Sequence, residues 1–164
     1  MRRIKVAIIM MTVLMLALAG CGKKTEGDTA NNKDGQTTSQ NDSGTKTFVS
    51  KEEGFASEVT YSYADGKVTN LSMENTSSYN YLDVANQYEA QQLMQNTVNS
   101  YANIEGVRYD IEYGEKELVE KLMIDCNVAK LDDIRGIPGI AIDGDKISME
   151  KSEAMLAEAG YTVK

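Results

Sequence analysis

The chain has 164 residues with 25 acidic and 17 basic side chains, a net charge of −8, no histidine and no tryptophan. The lack of histidine excludes Ser-His-Asp and Cys-His catalytic sites and histidine-ligated zinc or iron centres within this sequence. The acidic balance argues against binding to nucleic acids, because contact with a phosphate backbone needs clustered basic residues.

Residues 1–20 have the composition of a secretory signal. Three basic side chains stand at the start, and an uncharged apolar run covers residues 6–19. A basic start followed by an apolar run of this length is typical of a signal peptide. The run is shorter than the ~20 residues that an α-helix needs to cross the hydrocarbon core, which disfavours an uncleaved anchor.

Leu18-Ala19-Gly20-Cys21 resembles the lipobox of bacterial lipoproteins. The resemblance implies that Cys21 carries a diacylglyceryl group and that residues 1–20 are removed as a signal peptide. The alternative is an ordinary secreted protein with a chance cysteine. Two acyl chains hold a protein stably on a membrane, whereas one chain binds only marginally. We therefore predict a lipid anchor at Cys21 in place of a spanning helix.

Residues 21–45 comprise the candidate lipidated cysteine and a polar tether. Ala30 is the one aliphatic side chain of residues 22–45, and a segment so poor in apolar groups cannot offset its ordering entropy. We expect this tether to be disordered and to span roughly 25–30 Å as a flexible coil. Removal of residues 1–20 takes away three basic and no acidic side chains, which leaves a net charge of −11.

Residues 46–164 predict a single domain whose first part consists of β-strands. Apolar and polar residues alternate over 55–63, and Asp65-Gly66 then carries the signal of a two-residue type I′ hairpin. The chain returns as a second strand over 67–79. Residues 47–51 predict a shorter strand that precedes this pair.

A helix and a second hairpin follow. Apolar residues at helical spacing predict a helix over 83–101, with Asp83 as its candidate N-cap. Alternation resumes over 107–113, Gly114-Glu115 predicts a turn, and the chain returns as a strand over 118–128.

The last third is less regular. Residues 131–135 predict one or two helical turns, and Asp143-Gly144 predicts a turn. A helix is predicted over 148–159, with Gly160 as its stop, followed by a short strand over 161–163. The order of elements predicts an α+β fold, in which an antiparallel sheet built from consecutive hairpins carries two or three helices on one face.

Carboxylates are the most abundant reactive side chains of this domain. They form three groups: Glu112, Glu115, Glu117 and Glu120; Asp132 and Asp133; and Asp143 and Asp145. A glycosidase needs two carboxylates held ~5–10 Å apart across a cleft, but we interpret these groups as a solvated strand face and turn residues. Asp143-Gly144-Asp145 lacks the remaining ligands of an EF-hand loop, so no metal site is predicted.

Cys126 is the second of the two cysteines and is in phase with Leu122 and Ile124. This spacing indicates a small buried thiol on the inner face of a strand. No histidine or visible basic partner would lower its pKa, so a reactive thiol is the weaker interpretation.

Tyrosine is abundant, with nine residues against two phenylalanines. Tyrosine suits positions that are half apolar and half wet. One interpretation is a small core with wet edges, and the other is a sheet face or groove that binds a peptide, a glycan or a partner protein. The tyrosines on predicted elements are Tyr61, Tyr63, Tyr79, Tyr81, Tyr88, Tyr101, Tyr109 and Tyr113.

Short motifs of the domain resemble the YehR-like family of bacterial lipoproteins over about residues 45–164. They include Asp65-Gly66-Lys67-Val68, Glu74-Asn75-Thr76, Ile104-Glu105-Gly106-Val107, Ile111-Glu112-Tyr113 and Pro138-Gly139. The resemblance implies an α+β lipoprotein domain of unknown function with Cys21 as its lipid site. It implies no established activity, ligand or catalytic residue.

These observations predict a membrane-anchored lipoprotein on the extracytoplasmic face of the cell membrane, acting as a non-catalytic binding or accessory module. Its partners are the membrane, through the lipid on Cys21, and an envelope protein, peptide or glycan. No catalytic residue, cofactor or metal ligand is predicted. The alternatives are a carboxylate-dependent enzyme acting on cell-wall glycans and the small-molecule binding component of a transporter.

Overall fold

The computed structural model describes residues 43–164. Cys21, the predicted signal peptide and most of the predicted tether lie outside these residues. The strands are β1 (Ser43–Glu52), β2 (Phe55–Ala64), β3 (Lys67–Ser78), β4 (Val107–Tyr113), β5 (Glu117–Asp125), β6 (Ile142–Asp143), β7 (Lys146–Ile147) and β8 (Thr162–Val163). The helices are α1 (Gln87–Tyr101), α2 (Leu131–Ile134) and α3 (Met149–Glu158).

Six strands form one antiparallel sheet with the order β4-β5-β3-β2-β1-β8, and β6 pairs with β7 in a small separate hairpin. The β1–β2, β2–β3 and β4–β5 connections are tight hairpins, as the turn signals predict. The α+β fold class is confirmed. Within residues 43–164, no helix is long and apolar enough to cross a bilayer.

The register of the sheet collects apolar side chains on one face. Phe48, Val59, Met73, Leu122 and Tyr109 align in a row across five strands. Successive side chains along a strand point to opposite faces, so every second row of paired residues lies on this same face. The buried side chains of α1 and α3 pack into the same clusters as this face, so the helices cover one side of the sheet.

The opposite face of the sheet is open and charged. The row next to the apolar one is Val49, Glu58, Glu74, Lys121 and Asp110. Charged side chains are stable there because water solvates them, whereas burial of the same charges would be costly. We call the two sides the covered face and the open face.

One turn follows the local sequence pattern, whereas the start of β1 is set by strand pairing. Asp65 and Gly66 adopt φ values of +52° and +71°, as a type I′ turn requires. β1 begins at Ser43, ahead of residue 46, where the sequence places the start of the domain. Its first residues lack apolar alternation, but they pair with the end of β2, where Ser43 lies opposite Ala64.

The predicted start of the first helix is wrong. α1 begins at Gln87, and its N-cap is Asn86, whose side chain accepts a hydrogen bond from Glu89 N at 3.1 Å. The Glu89 carboxylate in turn accepts from Ala85 N at 2.9 Å, a variant of the capping box. Asp83 instead has a φ of +55° in the preceding turn.

The C-terminal part closes over the covered face through Tyr61. This side chain is fully buried, and its hydroxyl donates a 2.5 Å hydrogen bond to the Gly139 carbonyl. Gly139 follows α2, and its φ of +82° favours glycine. The Ser148 side chain caps α3 by accepting from Lys151 N at 3.3 Å. β8 then pairs with β1, with Val163 opposite Phe48.

Gly139→Ala should destabilise the domain more than Gly144→Ala. Both glycines have positive φ, but an added Cβ at Gly139 would lie 2.9 Å from the Tyr61 hydroxyl, whereas nothing lies within 4 Å at Gly144. We expect about 1 kcal/mol for Gly144→Ala and at least about 2 kcal/mol for Gly139→Ala, which adds overpacking. Urea unfolding measures both values, and equal losses would contradict this account of Gly139.

Candidate functional site

Buried apolar side chains of the covered face form two separate clusters. The large cluster joins the middle of the sheet to the C-terminal part and includes Tyr61, Leu122 and Leu156. The small cluster consists of Tyr79, Ala90, Met94 and Leu118, beneath the first half of α1. Each buried aliphatic or aromatic side chain contributes about 1.5–3 kcal/mol to folding, so the clusters account for the stability of this face.

A row of polar side chains lies on the covered face between the two clusters. Ser57, Asn75 and Glu120 are aligned across β2, β3 and β5 by the strand register. Tyr161 and Tyr109 reach this row from either side, through the hydrogen bonds described below. We call these five residues the polar row. Along β5, Glu120 stands two residues from Leu118 of the small cluster and two residues from Leu122 of the large cluster.

One half of the polar row is a chain of hydrogen bonds. The Tyr161 hydroxyl donates to Ser57 Oγ at 2.9 Å, and Ser57 Oγ donates to Asn75 Oδ1 at 2.6 Å. Among residues 43–164, the Asn75 side-chain amide donates to the Met73 sulfur at 3.5 Å, which is a weak acceptor. Ser57 is 4 % exposed, so its hydroxyl depends on these partners for its hydrogen bonds.

The other half of the polar row centres on Glu120. Its Oε1 accepts a 2.5 Å hydrogen bond from the Tyr109 hydroxyl. Its Oε2 has no hydrogen-bond partner in residues 43–164, and no lysine or arginine among them forms a salt bridge with it. The adjacent Lys121 points to the open face, where it pairs with Glu112 at 2.6 Å. The carboxylate is therefore partly buried without a cation to neutralise it.

Tyrosine rings surround this carboxylate. The rings of Tyr101 and Tyr109 lie 4.9 Å apart at an angle of 49°. Burial raises the pKa of Tyr101, Tyr109 and Tyr113, and the nearby charge of Glu120 raises each of them further. Burial also raises the pKa of Glu120, although the hydrogen bond from Tyr109 partly opposes this effect. The site thus combines a carboxylate with neutral phenol groups.

The sequence-based interpretation of the four hairpin glutamates is right for three and wrong for one. Glu112, Glu115 and Glu117 are exposed, whereas Glu120 is partly buried on the covered face. The sequence does indicate the position of Glu120, because this residue is two positions from both Leu118 and Leu122 and so lies on the same strand face as these leucines. Composition alone does not predict that Glu120 is buried, since four glutamates in nine residues suggest a solvated strand.

Cys126 lies where its phase predicts. It is a free, buried cysteine directly after β5. Burial, with the nearby charge of Asp125, raises the pKa of its thiol to about 11. The side chain therefore stays protonated at neutral pH and is a poor nucleophile.

The remaining tyrosines divide between core and surface. Tyr61 and Tyr79 are buried, and their hydroxyls donate to backbone carbonyls, that of Tyr79 to Gly114 at 2.7 Å. Tyr81 stacks on Phe55, and its hydrogen bond to Glu52 raises its pKa to about 12. Tyr88 is 69 % exposed although its spacing matches the helix period.

The other carboxylate groups do not converge on a common point. Asp132 pairs with Arg135 at 3.4 Å, and Asp143 pairs with Lys151 at 2.8 Å, which lowers the pKa of Asp143. Across the described part of the chain, no group of three or more aspartate, glutamate, histidine or cysteine side chains could hold a metal ion.

A concavity lies on the open face. It has a volume of about 480 Å³ and is lined in part by Thr60, Ser72, Arg108 and Met123. Arg108 is already paired with Asp110 at 2.8 Å. The depression thus offers hydroxyl groups and an exposed methionine, whereas the polar row offers an unneutralised charge.

Replacing Glu120 should change the pH dependence of stability. A raised pKa means that the folded chain keeps this proton to higher pH than the unfolded chain, so stability falls as pH rises above the usual value of 4.5. Glu120→Gln removes that loss. The melting temperature of Glu120→Gln relative to wild type should therefore be higher at about pH 7 than at about pH 4.

Glu117→Gln is the matched control for this measurement, because Glu117 lies on the same strand with an exposed side chain. Its melting temperature relative to wild type should change less between the two pH values. A Glu120→Gln difference that is independent of pH would refute the account of Glu120.

Comparison with known proteins agrees with this fold. Residues 44–162 match the family described as "Protein of unknown function (DUF1307)". The uncharacterized lipoprotein Lmo0207 of Listeria monocytogenes is 32 % identical, over 94 % of this chain and 92 % of that protein. The uncharacterized lipoprotein YehR of Escherichia coli is 24 % identical, again over 94 % and 92 %.

The NMR structure of Escherichia coli YehR has the same fold, with a TM-score of 0.64 and 23 % identity over 76 % of this chain and 92 % of that one. The resemblance to the YehR-like lipoproteins is confirmed. The family match covers most of the chain, and it includes all of the elements from β2 to α3 together with nearly all of β1. The chain therefore belongs to the DUF1307 family of proteins of unknown function.

Proposed function

We propose that this protein is a lipoprotein held at the extracytoplasmic face of the membrane by the lipid on Cys21, and that it is a non-catalytic binding module. Its recognition surface is the half of the polar row that centres on Glu120, on the covered face. The observation that carries this proposal is Glu120, a partly buried carboxylate with one free oxygen and no basic partner in residues 43–164.

The lipid anchor is supported by two facts. Leu18-Ala19-Gly20-Cys21 matches the lipobox pattern after an apolar segment. Relatives that align with 94 % of this chain are named lipoproteins. A diacyl group then gives stable attachment without a spanning helix.

The arrangement of carboxylates supports binding over hydrolysis of glycans. A glycosidase requires two carboxylates that face each other across the substrate. Glu120 lies on the covered face, whereas Glu112 and Glu117 alternate onto the open face. Neither of them therefore faces Glu120 as a second catalytic carboxylate. The titratable groups on which the charge of Glu120 acts are the phenols of Tyr101, Tyr109 and Tyr113, whose pKa values are raised.

Cys21→Ala should release the protein from the membrane. Without the thiol there is no acceptor for the diacylglyceryl group, so labelled fatty acid should no longer be incorporated and the protein should leave the membrane fraction. Cys126→Ala is the control, because its thiol is buried in the domain. Full acyl labelling of Cys21→Ala would disprove the anchor.

Site-specific photo-cross-linking in intact cells tests the recognition surface. A photoreactive phenylalanine derivative in place of Tyr113, which is partly buried beside Glu120, should form adducts. The same group in place of Glu58 on the open face should not. Adducts from position 58 but not from position 113 would show that the recognition surface lies on the open face, which would contradict the proposal.

A further inference from the structure

We infer that the polar row binds a primary alkylammonium group, with the cation on Glu120 and its alkyl chain against neighbouring apolar side chains. This inference rests on the proposed binding function and names the chemical class of the ligand. It follows from three features of the site: the unneutralised charge, the apolar walls and the number of acceptors that remain free.

The unneutralised charge of Glu120 favours the binding of a cation. A charge withdrawn from water is costly unless it is paired and hydrogen-bonded. The one side-chain partner of Glu120 in residues 43–164 is the neutral Tyr109 hydroxyl. A bound cation would remove the cost of desolvating the carboxylate, so the site is better suited to a charged ligand than to a neutral one.

The surroundings of Glu120 suit an alkyl chain with a charged end. Leu118 and Leu122, which flank it along β5, are buried inside the two clusters. The apolar surface that a ligand can reach is that of Ile111, directly opposite on β4 and only partly buried. The Tyr101 and Tyr109 rings, 4.9 Å apart, add aromatic surface beside the carboxylate. A cation close to such rings gains further attraction from their π electrons.

The free acceptors distinguish an ammonium from other cations. A guanidinium binds a carboxylate best through both oxygens, but Oε1 of Glu120 is already engaged by Tyr109. Calcium needs six to eight oxygen ligands, and no group of three or more candidate metal-ligating side chains occurs in the part of the chain that the structure describes. An ammonium is a point charge that one carboxylate oxygen and neighbouring phenol oxygens can satisfy.

The same ammonium chemistry occurs in free alkylamines and in lysine side chains of peptides. Titrations of the isotope-labelled full chain in detergent micelles, followed by NMR, distinguish the two sources. The free probe is n-butylammonium, with n-butanol and butyrate as neutral and anionic matches. The peptide probe is a short lysine peptide with blocked ends, compared with the same peptide acetylated on its lysine.

We expect saturable binding of at least one ammonium probe, with shifts centred on Glu120 and Tyr109, and no saturable binding of n-butanol, butyrate or the acetylated peptide. Glu120→Gln keeps an acceptor for Tyr109 but removes the charge, so it should weaken binding by about tenfold or more. Glu117→Gln, exposed on the same strand, should bind as wild type does. If the lysine peptide binds and n-butylammonium does not, the source is a peptide.

Absence of saturable ammonium binding by the wild-type chain would overturn the inference, as would equal binding by Glu120→Gln or by n-butanol. The wild-type shift map decides the matter even if Glu120→Gln does not fold, because shifts away from the polar row also refute the site. If ammonium binding fails while cross-linking from position 113 persists, the ligand class is wrong and the recognition surface stands. If both fail, the proposed binding function fails with it.

Discussion

The antiparallel register of β2, β3 and β5 is the constraint on which the rest of this domain depends. It places Val59, Met73 and Leu122 in one buried row, and it places Ser57, Asn75 and Glu120 in the next row of the same face. Because strand side chains alternate with a period of two, a slip of one residue would send each set to the opposite face. Burial of the apolar row therefore also determines where the polar row lies.

The polar row conflicts with the packing around it. An apolar residue at position 120 would join Leu118 of the small cluster to Leu122 of the large cluster, yet the chain carries a carboxylate there. Natural proteins concentrate such departures from good packing at functional sites. The raised pKa of Glu120 and the hydrogen bond from Tyr109 are the local consequences of that burial.

The two faces of the sheet have different electrostatic roles. On the open face, Lys121 pairs with Glu112 and Lys164 pairs with Glu58 in contact with water, where each pair contributes little to stability. On the covered face, low polarity strengthens every charge interaction. The charge of Glu120 on the covered face therefore interacts more strongly with its neighbours than the paired charges of the open face do.

Local sequence was sufficient for the hairpins, for the buried position of Cys126 and for the α+β class, because turn chemistry and period-two alternation act over a few residues. It predicted the start of α1 wrongly, although Asn86 has Glu89 three residues later, a capping-box pattern that Asp83 lacks. By itself the sequence determined which side chains share a strand face. The tertiary structure decided which face the helices cover, and thus that Glu120 is partly buried among Tyr101, Tyr109 and Tyr113. The physical reason is that burial and charge depend on contacts between elements far apart in the chain.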